Sequence, residues 1–78
     1  MMSTQVGSTA GTLWQTLGKQ KRLTLAKIST ALKVEKDLAL VALGWLAREE
    51  KVKIVESAKG TTVSLTESEQ AIYEKART

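Results

Sequence analysis

The sequence predicts an α+β fold in which three helices precede a two-stranded β-hairpin and a short closing helix. Three features predict it. Residues 38–47 are apolar at every position except Gly44, with Lys36 and Asp37 before them and Arg48, Glu49, Glu50 and Lys51 after. Only Val34 and Glu35 separate that segment from an amphipathic one upstream. Beyond Glu50 the hydrophobic period changes from 3.6 to 2.

Taken in order, residues 1–7 read as a flexible N-terminus and residues 8–78 as a single folded domain. Ser8 or Thr9 is placed to cap a first helix in which Ala10, Leu13, Trp14 and Leu17 recur at helical spacing, and Gly18 is placed to end it. Lys19, Gln20, Lys21 and Arg22 form a polar connector. Leu23 offers a short strand before Thr24 caps the second helix, whose inner stripe is Leu25, Ile28 and Leu32. Val34 sits in the turn that follows and is expected to plug the angle between two helices. In the third helix, at 100° per residue, Ala39, Ala42, Leu43 and Leu46 share one face. Leu40, Val41, Gly44 and Trp45 share the opposite face, with Leu38 at the border. Val52, Ile54, Val63 and Leu65 then alternate with polar residues across a connector containing Ser57-Ala58-Lys59-Gly60, the pattern of a hairpin. Thr66-Glu67-Ser68-Glu69 has capping-box spacing, and Ile72, Tyr73 and Ala76 offer a narrow apolar stripe to a last helix, frayed at its end.

Composition excludes several function classes. With 78 residues the chain is one small domain, near the size at which a single core leaves little stability to spare. Cysteine and histidine are absent, which removes disulfides, thiolate chemistry, the commonest general base and the usual zinc ligands. Glu49-Glu50 ends one helix and Glu67-Ser68-Glu69 caps another, so the carboxylate pairs read as structural, and no enzyme activity or cofactor is expected. About ten consecutive apolar residues are roughly half of a membrane span, and the first seven residues lack the features of a signal peptide, so a cytoplasmic location is expected. The formal charge is +4, with ten basic residues against five acidic through Gly60 and two against three afterwards. The basic excess therefore belongs to the main body, and it permits nucleic-acid binding without requiring it.

Two helices joined by a tight turn, the second long, are the layout of a helix-turn-helix unit. With a helix before it and a hairpin behind it, the order resembles a winged helix-turn-helix domain over about residues 8–70. Leu25-Ala26-Lys27-Ile28-Ser29-Thr30-Ala31-Leu32-Lys33-Val34 resembles the first helix and turn of that motif, and Val63-Ser64-Leu65-Thr66-Glu67 the last wing strand entering the closing helix. Residues 40–51 resemble more narrowly a small bacterial winged-helix family described as a domain of unknown function, within the winged-helix DNA-binding superfamily. The superfamily implies a third helix that enters the major groove. Here that face would carry Asp37, Leu38, Leu40, Val41, Gly44 and Trp45, which lack the hydrogen-bonding groups that direct readout needs.

An outer face of Leu40, Val41 and Trp45, with part of Leu38, amounts to roughly 400–500 Å² of apolar surface that calls for cover by protein. Three covers are open: a partner, most simply a second copy; the chain's own hairpin and closing helix; or a ligand groove. The homodimer is preferred, with Asp37, Leu38, Leu40, Val41, Gly44, Trp45 and Arg48 as its interface. Gly44 calls for some return on its poor helix propensity, and antiparallel crossing there brings each Asp37 toward the other copy's Arg48. A lone protomer with Val41 and Trp45 openly in water, or with basic side chains on that face, counts against this reading. The alternative is DNA binding, as in a transcription regulator, through phosphate contacts by Lys21, Arg22, Lys33, Lys36, Lys53 and Lys59 of the connector, turn and wing. No small-molecule substrate is indicated.

Overall fold

The computed structural model describes residues 2–77. Its elements are α1 (Met2–Gln20), β1 (Leu23–Thr24), α2 (Leu25–Leu32), α3 (Lys36–Arg48), β2 (Val52–Ser57), β3 (Gly60–Leu65) and α4 (Glu67–Arg77). Three helices stack against a three-stranded antiparallel sheet ordered β1-β3-β2, and α4 lies back along α1. The core joins Leu13 and Leu17 of α1, Ile28 of α2, Ala39, Ala42, Leu43 and Leu46 of α3, Val63 and Leu65 of β3, and Tyr73 of α4. The fold is the winged helix that the order of elements implied.

The first helix corrects the expected loose start. It is helical from Met2, because Val6 extends the Ala10, Leu13 and Leu17 stripe by one turn and is itself buried. Ser8 and Thr9 are therefore interior residues and not caps; the Ser8 carbonyl accepts the Thr12 hydroxyl at 3.2 Å and Thr9 is buried. Nor does Gly18 end the helix. It is buried beneath the Tyr73 ring, where a methyl group would overlap the ring carbons, and the helix continues to Gln20. The stop is made by Lys21, at φ 75°, whose N–H donates to the Leu17 carbonyl at 2.8 Å.

Between α2 and α3 the turn closes with Lys33 in the left-handed conformation and the Val34 N–H donating to the Ser29 carbonyl at 3.1 Å. Val34 packs against the core from this turn, as expected of a plug between two helices. Thr24 does stand at the start of α2, but its hydroxyl makes no cap hydrogen bond, since the residue is already committed to β1 opposite Thr62. In α3 the buried residues are Ala39, Ala42, Leu43 and Leu46, the face read from the sequence.

The hairpin is tighter than expected. Ser57 pairs with Gly60, leaving Ala58 and Lys59 as a two-residue turn, and Gly60 at φ 126° supplies a conformation that side-chain-bearing residues avoid. β2 forms the outer margin of the sheet. At the start of α4 half of the expected capping box forms: Thr66 Oγ1 accepts the Glu69 N–H at 3.3 Å. The reciprocal bond is superseded, because the Thr66 N–H donates to the Lys51 carbonyl at 3.1 Å and the Glu69 carboxylate turns to Trp14. Of the expected stripe on α4 only Tyr73 is buried; Ile72 and Ala76 face outward. The helix is continuous through Arg77, and Thr78, where fraying was expected to continue, lies outside the described residues, as does Met1.

Candidate functional site

The outer face of α3 is set by its inner one. Once Ala39, Ala42, Leu43 and Leu46 are buried against α1, α2 and β3, helical geometry turns Asp37, Leu40, Val41, Gly44, Trp45 and Arg48 outward. All six are exposed, while Leu38 at the border is half-buried. Leu40 is 43% exposed, Val41 46% and Trp45 52%. The chain's own hairpin and closing helix thus fail to cover this face, and one of the three expected covers is corrected. Val41 and Trp45 thus stand openly in water in the single chain, the outcome named above as counting against the homodimer. No basic side chain replaces them at the centre. Among the described residues, nothing outside Gly44's own stretch of helix approaches within 4 Å of where its side chain would begin, so the glycine leaves an open notch. Among the described residues neither Asp37 nor Arg48 has an ion-pair partner.

Two grooves flank the face. On the α2 side a groove of about 590 Å³ is lined by Leu25, Ile28, Ala39 and Leu40, with Lys36 and Lys59 at its rim and the wing turn beyond. On the α4 side one of about 480 Å³ is lined by Gly7, Gly11 and Trp14 of α1, Trp45 of α3 and Ile72 of α4. Leu40 therefore borders the first groove and Trp45 the second, with Val41 and Gly44 on the ridge between them.

The candidate phosphate-binding residues do not form one patch. Lys36 and Lys59 come together across the α2-side groove. Lys53 lies instead on the side of α3 and α4, sharing a depression with Glu50 and Glu67. Lys21 forms an ion pair with Glu74 and is drawn toward the closing helix. Arg22 and Lys33 are exposed in the connector and the turn.

Sequence reasoning missed how α4 is fastened. Trp14 Nε1 donates to Glu69 Oε1 at 2.8 Å, and the Trp14 and Tyr73 rings meet edge to face with centroids 5.7 Å apart. Gln70 Nε2 donates to the Gly18 carbonyl at 3.1 Å. The clamp fixes the wall beside Trp45. Its only sequence signals were a tryptophan and a glycine four residues apart in α1, on the side of the helix that meets α4. Among the described residues no cluster of side chains has the composition to hold a metal ion, and no helix is long and apolar enough to cross a membrane.

Residues 1–65 match the family described as winged helix-turn-helix domain (DUF2582). The chain belongs to this family. Comparison with curated proteins finds no match for it. Among solved structures, this DUF2582 chain is similar to an apo-form double mutant of Lactococcus lactis ZitR, at 24% identity and a TM-score of 0.77 over 96% of this chain and 58% of that one. A second structure of a ZitR double mutant gives 26% identity and a TM-score of 0.78 over 90% of this chain and 49% of that one. The reduced form of MarR from E. coli gives 18% identity and a TM-score of 0.75 over 87% of this chain and 52% of that one. The fold is thus that of MarR-family winged-helix regulators, and the DUF2582 chain spans about half the length of these neighbours.

Proposed function

We propose that this chain is a non-enzymatic, cytoplasmic winged-helix binding module that pairs with a second copy through the outer face of α3. One observation carries the reading. Where a base-reading helix needs hydrogen-bonding side chains, the outer face of α3 carries Leu40, Val41 and Trp45 instead, and it is this composition, not their exposure, that supports the reading. A contiguous apolar face on a small domain marks an interaction surface, and a second copy removes it from water reciprocally. Size-exclusion chromatography with light scattering tests this: the wild type is expected at twice the chain mass, and Val41→Asp at the chain mass. A monomeric wild type, or a mutant that remains dimeric, retires the proposal.

A second reading is DNA binding through the phosphate backbone. It is favoured by the fold shared with MarR-family regulators and by the pairing of Lys36 with Lys59 across one groove that no acidic residue lines. Fluorescence anisotropy with duplex DNA is expected to show weak binding that falls steeply with salt and weakens further in Lys36→Ala combined with Lys59→Ala. Absence of binding at low salt eliminates this reading for the chain.

A further inference from the structure

We propose that two copies pack α3 against α3 in one antiparallel register, with Val41 of each chain seated over the Gly44 notch of the other and Asp37 facing the partner's Arg48. The inference rests on the homodimer reading above and specifies its geometry. Asp37, Val41, Gly44 and Arg48 follow one another at steps of four, three and four residues, the spacing of a helix-packing seam. Read in reverse, that seam is its own complement. An acid returns as a base, and a branched side chain returns as an empty position.

Each member of the seam is available. Asp37 and Arg48 are exposed and have no ion-pair partner among the described residues, and Val41 stands on the ridge beside a notch that nothing in its own chain fills. Glycine is a poor helix former, and among the described residues none outside Gly44's own stretch of helix comes near enough to require it. A parallel pairing would set Asp37 beside the partner's Asp37 and leave the two notches facing each other, with like charges opposed and a void between the helices. In the antiparallel register the two-fold axis keeps both Trp45 side chains on the flank next to α4. There Ile72, 53% exposed, continues the apolar surface, and this flank adds to the modest area of the seam itself.

The register is tested by charge reversal. Asp37→Lys alone and Arg48→Glu alone each place like charges opposite one another twice in the dimer, and each is expected to weaken dimerisation by roughly tenfold in sedimentation equilibrium. Combining them restores opposite charges and is expected to recover the wild-type constant to within about threefold. The chain contains no cysteine, so a second measurement is clean. An equimolar mixture of Val41→Cys and Gly44→Cys chains is expected to oxidise to the mixed disulfide in preference to either homodimer. A dimeric wild type with no rescue by the combined variant, or with no preference for the mixed disulfide, overturns the register and leaves the homodimer standing. A monomeric wild type overturns both.

Discussion

Lys21, Lys33 and Glu50 each take up the left-handed backbone conformation, at φ 75°, 58° and 58°, and each closes the end of a helix. A side-chain-bearing residue there costs on the order of 1 kcal/mol that glycine avoids. Lys33→Gly and Glu50→Gly are therefore expected to stabilise the chain by about 0.5–1 kcal/mol each, read as a higher urea midpoint at unchanged slope. Gly18 presents the opposite case. Alanine there gains about 1 kcal/mol of helix propensity but drives a methyl group into the Tyr73 ring, an overpacking that costs about 1–3 kcal/mol, so net destabilisation is expected. The same denaturation measurement decides it. Glu69 shows how one residue can satisfy a sequence signature and serve another purpose. Its place in the capping box was legible, but its carboxylate holds Trp14, 55 positions away, and no local pattern encodes a contact of that range.

The elements differed in how far their pattern revealed them. Helix α3 was the plainest, because four inward and four outward positions alternate at 100° and the buried set followed directly. The start of α1 is poorly marked by its pattern: Gly7 and Ser8 look like a boundary, whereas Val6 is buried within a helix that begins at Met2. In α4, Ile72 and Tyr73 are neighbours in sequence and only 100° apart. Periodicity alone therefore leaves open which of them turns inward, and the edge-to-face contact with Trp14 selects Tyr73. The two substitutions should diverge accordingly. Tyr73→Ala is expected to cost roughly 3 kcal/mol or more, whereas Ile72→Lys is expected to leave the stability of the single chain within about 0.5 kcal/mol, both measured by thermal unfolding at low concentration. The basic residues could be assigned to connector, turn and wing from the sequence. Folding separates them, with Lys21 held by Glu74 and Lys53 set beside acidic neighbours.

At the scale of the whole domain, the proposed pairing would couple association to folding, because a domain of this size has a small margin of stability. The unfolding temperature is expected to rise with protein concentration for the wild type and to be independent of it for Val41→Asp, as calorimetry over a hundredfold dilution series would show. A wild type without that dependence goes against the homodimer. The sheet adds a separate consequence. β2 is an edge strand, with Ile54 and Val55 both about half exposed, and its far side has no strand neighbour among the described residues. Such a border is open to strands of other molecules, and the exposed charges that discourage it are Lys53 and Glu56 on β2, with Lys59 in the turn at its end. Neutralising Lys53 and Glu56 together should therefore shorten the lag before fibrils appear, so that the strand's charges guard against misassembly whether or not the wing ever meets a nucleic acid.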